Sequence, residues 1–133
     1  MKYGNIKSFQ TGVAVPVSSL KSESSCGVGE YYDLIELGEW VSKVGLDLIQ
    51  ILPINDSGET SSPYSAISAF ALHPIYLRLS KISGASVFKS KINEYAKENT
   101  SHLEYHKTLK FKESILNAIY NNAKEKLLTN NTL

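Results

Sequence analysis

Apolar positions change their period along the first half of this chain. Residues 12–17, Gly-Val-Ala-Val-Pro-Val, form a short, β-branched, apolar run, which predicts a strand with Pro16 near its exit. Residues 30–44 place Leu34, Leu37, Val41 and Val44 at helical spacing. Gly45 then supplies a stop, because glycine takes the left-handed cap conformation without a Cβ clash. Residues 46–52 are again nearly all apolar, the pattern of a strand covered on both faces. Strand, helix, strand in this order predicts a βαβ unit with parallel strands and a right-handed crossover. Both strands then end at one edge. The small-residue loop 18–29 and the loop 55–65 should lie side by side there, where α/β proteins assemble their sites.

The rest of the chain reads differently. Residues 66–80 are expected to form a short apolar helical or irregular stretch broken by Pro74, and 83–86, Ser-Gly-Ala-Ser, a linker-like break. Residues 87–98 fit a short helix. Residues 106–128 give the clearest helix, with Phe111, Ile115 and Ile119 four apart and flanked by Leu116 and Tyr120. Residues 129–133 read as a polar, frayed tail. The fold class is therefore α/β, but two parallel strands with helices as their only neighbours make a poor free-standing core. The pattern fits the opening of a larger barrel, which needs roughly 250 residues to close. On this reading residues 1–80 hold the first βαβ unit and its loops, and residues 81–133 a truncated helical segment.

Composition narrows the partners. The 133 residues carry a formal net charge of +1, so whole-chain electrostatics point to neither nucleic acid nor an anionic membrane. Residues 81–133 are the basic part, but their lysines alternate with glutamates as on a solvated helical face. A single cysteine, Cys26, excludes an internal disulfide and fits a reducing compartment. Met1 to Gln10 lacks the apolar core of a secretory signal, and no run approaches the ~20 apolar residues of a membrane span. The expected location is the cytoplasm. The glycosylation-like triplets Asn99-Thr100-Ser101 and Asn130-Asn131-Thr132 are then chance matches.

Candidate chemistry concentrates in the strand-end loops. Retaining sugar chemistry needs two carboxyl groups about 5–5.5 Å apart, and the loops offer Glu23, Asp56 and Glu59. In Asn55-Asp56-Ser57-Gly58, however, Asp56 reads as a turn residue bonding nearby amides, and Glu59 as exposed. Ser62, His73 and Asp56 could compose a nucleophilic set, yet no Gly-x-Ser-x-Gly elbow positions them. His73 before Pro74 reads as a hydrogen-bonded structural residue. His102 and His106 have a metal-ligand spacing without a third ligand, so an exposed pair at a helix start is expected and no metal is assigned. Gly27-Val28-Gly29 lacks the remainder of a dinucleotide or phosphate-loop motif and reads as a tight turn, with Cys26 a plain loop thiol. Tyr64, fixed by Pro63 in a serine-rich loop, offers a sugar an aromatic face and a hydroxyl. Packing of the same ring onto the rim is the equal alternative.

Several blocks carry more than their spacing. Gly12 to Leu20, Gly27-Val28-Gly29-Glu30, Leu52 to Gly58, Ser62-Pro63-Tyr64-Ser65, Ser68 to Pro74 and Leu109 to Glu113 occur in an order and at distances that resemble the N-terminal part of the 4-α-glucanotransferases, glycoside hydrolase family 77 (amylomaltase or disproportionating enzyme). The resemblance implies a TIM (β/α)8 barrel with helical insertions. It also implies transfer of α-1,4-glucan segments between maltooligosaccharides by a retaining double displacement, with no metal or organic cofactor. The serine and tyrosine of the Ser-Pro-Tyr block, Ser62 and Tyr64, would contact glucan. The family's catalytic carboxylates belong to later strands, so no catalytic residue carries over and the chain is expected to be inactive alone. A hydrolase of the α-amylase clan and a non-catalytic glucan-binding remnant are the competing readings. Unpaired strand edges make the isolated chain, on this view, aggregation-prone or molten.

Overall fold

A computed structural model describes residues 9–98 and 102–130, with side chains as far as residue 124. The first glycosylation-like triplet, the N-terminal residues 1–8 and the last three residues of the tail lie outside the described residues. Strand β1 (Gly12–Val15) pairs in parallel with β2 (Leu48–Ile51), Gly12 opposite Leu48 and Val15 opposite Ile51. Helix α1 (Asp33–Lys43) connects them. Its end is as the pattern predicts: Gly45 has φ +78°, and the Leu46 amide returns to the Val41 carbonyl at 3.1 Å. Its start falls three residues later than predicted, because Glu30 and Tyr31 are engaged elsewhere. The Tyr31 amide donates to the Tyr76 carbonyl at 2.9 Å, and the Glu30 amide to Asp33 Oδ2 at 2.6 Å.

The core does not lie on the sheet. The expectation that residues 46–52 form a strand covered on both faces is corrected: Leu48 is 39% exposed and Ile51 37%. Apolar burial instead gathers around the small-residue loop 18–29. Val17 and Val28 pack with Ile75, Tyr76, Tyr105 and Leu109. Cys26 packs with Leu79, Ala85, Ile92 and Ile115. A Cβ on Gly29 would run into the Val17 carbonyl oxygen, so only glycine lets the loop close on itself there.

In the middle of the chain residues 66–73 are irregular, one of the two forms the pattern left open. An antiparallel bridge joins Asn55 to Leu72. Pro74 opens a 3₁₀ turn, Pro74–Tyr76, where a break was predicted, since proline's fixed φ and missing N–H suit a first helical position. The stretch 83–86 is no linker. Gly84 at φ +87° turns the chain into a 3₁₀ turn, Ala85–Phe88, and Ala85 enters the core. Two further helices follow, α2 (Lys89–Lys97) and α3 (Tyr105–Asn130). Phe111, Ile115 and Ile119 of α3 face the second core cluster as their spacing predicts, and Tyr95 stacks on Phe111 with centroids 4.0 Å apart. No helix among the described residues is long and apolar enough to cross a membrane.

Candidate functional site

Beyond β2 the chain builds a self-supporting loop. The Asp56 amide bonds the Ala71 carbonyl at 2.8 Å, the Ile67 amide bonds the Asp56 carbonyl at 2.8 Å, and the His73 amide bonds the Ile54 carbonyl at 3.0 Å. Asn55 Nδ2 reaches the Ala69 carbonyl at 2.9 Å. Asp56 is the turn residue the sequence predicts: its Oδ1 accepts from the Gly58 amide at 2.8 Å. Inside this frame Ser62 is half-buried, with its carbonyl accepting from the Ser65 amide at 3.1 Å. The frame turns its large side chains outward, with Tyr64 72% exposed and Phe70 94%. Ile67 and Leu72 are exposed beside them. The loop is polar and bonded in its backbone but aromatic and apolar on its face. Such a surface suits a ligand with flat C–H faces and a hydroxyl rim.

Under the loop, Tyr105 at the start of α3 joins three segments. Its hydroxyl lies 2.7 Å from His73 Nε2, donates to the Gly58 carbonyl at 2.8 Å, and sits 3.4 Å from Ser57 Oγ. Burial raises its pKa above the ordinary tyrosine value, so it stays a neutral donor. His73 is buried and its Nε2 is 3.9 Å from Asp56 Oδ1. With the ring committed to Tyr105, Ser62, His73 and Asp56 do not make a nucleophilic set. The structural role expected for His73 holds.

The other strand-end loop closes around a buried ionic quartet. Lys112 Nζ bonds Glu30 Oε1 at 2.6 Å and the carbonyls of Ile75 at 2.7 Å and Leu77 at 2.9 Å, using all three of its protons. Arg78 Nε bonds Glu30 Oε2 at 2.7 Å, and another guanidinium nitrogen contacts Asp33 Oδ1. Ser22 and Ser25 hydroxyls complete Asp33 at 2.7 and 2.8 Å. Two carboxylates face two cations, and no buried side-chain donor or acceptor among the described residues lacks a partner. Burial lowers the Lys112 ammonium from its ordinary value, with Glu30 opposing. Burial alone would raise Asp33, but hydrogen bonds from Ser22, the Glu30 amide, Ser25 and Arg78 outweigh it and hold the carboxyl below its ordinary value.

The remaining candidates disperse. Glu23 and Glu59 are exposed. His102 and His106 are exposed as expected, and no group of three potential metal ligands occurs among the described residues. Cys26 is a core residue, not a loop thiol: burial pushes it up to about 11, so it is an unreactive thiol at neutral pH. Gly27-Val28-Gly29 precedes α1 by several residues and offers no helix N-terminus to an anion.

Glu30, Asp33, Arg78, Lys112 and Tyr105 are not singled out by sequence reasoning. One signal is present: Lys112 stands on the stripe of Thr108, Leu109 and Ile115 that α3 buries, and a cation there implies a buried partner.

Comparison with known proteins bears on the whole chain. The family described as Glyco_hydro_77, 4-alpha-glucanotransferase, matches residues 15–132. The 4-alpha-glucanotransferase of Chlamydia muridarum is 36% identical over 123 residues, 90% of this chain and 23% of that protein. The one from Chlamydia caviae is 53% identical over 74 residues, 56% of this chain and 14% of that protein. A 4-alpha-glucanotransferase of rice, Oryza sativa subsp. japonica, is 39% identical over 129 residues, 91% of this chain and 14% of its own length. The chain thus spans less than a quarter of these relatives.

Proposed function

Because the chain belongs to the 4-alpha-glucanotransferase family, we propose that it forms the glucan-facing opening of such an enzyme, in which Ser62 and Tyr64 hold an α-1,4-linked maltooligosaccharide. The observation that carries this reading is the exposed Tyr64 ring, 72% accessible, on a hydrogen-bonded loop past the end of a parallel strand. Its ring would stack on the C–H face of one sugar, and the Ser62 hydroxyl would bond the rim of the same or the next unit. The chemistry proposed is the family's retaining transfer between glucan chains.

In this reading residues 1–80 are the first βαβ unit and substrate loop of a TIM barrel, and residues 81–133 a helical insertion. Two findings support it. Leu48 and Ile51 of β2 are left exposed, as staves awaiting neighbours would be. The chain also matches only 14 to 23% of its relatives' length, which leaves room for the catalytic carboxylates on polypeptide outside this sequence. Three of the nearby carboxylates already have structural work: Asp56 holds a turn, and Glu30 and Asp33 hold the ionic quartet.

The test is direct. The 133-residue chain, incubated with maltotriose, should release no glucose above a protein-free control. Titrated with maltoheptaose, it should bind weakly, and Tyr64→Ala should lower the affinity further. Undiminished binding by that variant removes Tyr64 from the site. Release of glucose by the chain alone removes the proposal that its catalytic groups lie elsewhere.

A further inference from the structure

The turn 57–60, which leads into Ser62 and Tyr64, belongs to no helix or strand. Its position is held from α3. Tyr105 is 9% exposed, and its ring packs in the first core cluster beside Ile75 and Leu109. Its hydroxyl has one proton to give. The Ile75 amide donates to His73 Nδ1 at 3.3 Å, so neutral His73 carries its own proton on Nε2 and donates it to the Tyr105 oxygen, 2.7 Å away. The phenolic proton goes to the nearer acceptor, the Gly58 carbonyl at 2.8 Å, rather than to Ser57 Oγ at 3.4 Å. Ser57 does not donate to Tyr105, because its hydroxyl proton goes to the Thr60 carbonyl at 2.7 Å. The order Ile75 N–H, His73, Tyr105, Gly58 carbonyl therefore runs in one direction. It ends on a glycine at φ +59°, four residues before Ser62.

We propose that Tyr105 is a positioning residue for the glucan-facing segment: its hydroxyl, oriented by His73, fixes the Gly58 carbonyl and so sets where Ser62 and Tyr64 stand before a sugar arrives. This rests on the glucan reading of Ser62 and Tyr64. The physical gain is preorganisation. A loop already in its bound conformation loses less conformational freedom when ligand binds. Tyr105→Phe keeps the ring and its packing and removes only the oxygen, so it separates the hydrogen bond from the core.

Amide hydrogen exchange on the 133-residue chain and on Tyr105→Phe reads the effect. The amides of Gly58, Thr60 and Ile67 should exchange about fivefold faster in the variant, the loss expected of one hydrogen bond. Those of Leu20, Tyr31 and Leu52, bonded in the other loop and the sheet, should be unchanged. Acceleration of both sets alike would mean that the hydroxyl only supports the core, and would overturn the proposal. Imidazole 15N shifts of the unsubstituted chain give a second reading that needs no variant: Nδ1 should be unprotonated at neutral pH, and a protonated Nδ1 overturns the relay. A maltoheptaose titration separates the two layers. If the unsubstituted chain binds, Tyr105→Phe should bind about fivefold more weakly, and equal affinity sinks the positioning role. If the unsubstituted chain does not bind, the glucan reading is what fails, and the exchange pattern alone decides whether Tyr105 sets the loop.

Discussion

Lys112 illustrates what a single residue can require of its surroundings. Its ammonium is wholly buried and survives only because Glu30 and two carbonyls take its three protons. Lys112→Met should cost about 3 kcal/mol, since it strands the carbonyls and removes one of Glu30's two cations; Arg78 limits the loss. Adding Glu30→Gln should recover part of it, and thermal unfolding of single and double variants at low protein concentration measures the coupling. Asp33 carries a pH dependence with a definite sign. Its folded-state carboxyl lies below the ordinary 3.8, so the unfolded chain takes up the proton first as pH falls. The stability it contributes is complete above that value and is lost on acidification through and below it. Asp33→Asn should therefore be less stable than the unsubstituted chain at neutral pH and show a flatter acid limb. An acid limb of unchanged slope would contradict this assignment. These residues were hard to foresee because a charge's worth depends on partners up to 82 positions away. Asp56 and His73 were legible, because Asx turns and a histidine capping the turn after it are local.

Elements whose signals are local stand where the sequence put them. The periods of α1 and α3, and the stop at Gly45, are set by nearest turns and survive in the fold. Composition does not place loop 18–29. Its small residues mark a loop without saying where it lies, and they let the backbone pack tightly, with Gly29 against the Val17 carbonyl. Gly29→Ala should consequently do far more damage than Gly45→Ala. Gly45 has open space around its missing Cβ and only its positive φ to lose, about 1 kcal/mol, whereas Gly29 must move backbone. Circular dichroism melts of the two variants compare them directly, and a Gly29→Ala melt as high as that of Gly45→Ala would contradict the close approach.

For the molecule as a whole, two packed clusters and a satisfied ionic quartet coexist with large apolar side chains left without cover. Ile35 and Trp40 of α1 and its C-cap Val44 are about half exposed or more, and Leu48, Ile51, Ile67 and Phe70 are exposed as well. Surfaces of this kind bind dye and self-associate. The chain should sediment as a monomer only when dilute, and Ile67→Ser with Phe70→Ser should lower both dye binding and association. A chain that stays monomeric when concentrated would argue that these side chains need no partner. The amino-acid order by itself determined the βαβ succession, the parallel pairing that follows from it, the helix periods and the family blocks, because each rests on neighbours within a turn or on matched residues in line. Only the tertiary structure decided where the interior lies. Burial is a property of what comes to rest against a segment, so Leu48 and Ile51 of an apolar strand ended exposed while Ser25, Cys26 and Val28 of a serine-rich loop, a lysine and a glutamate ended inside.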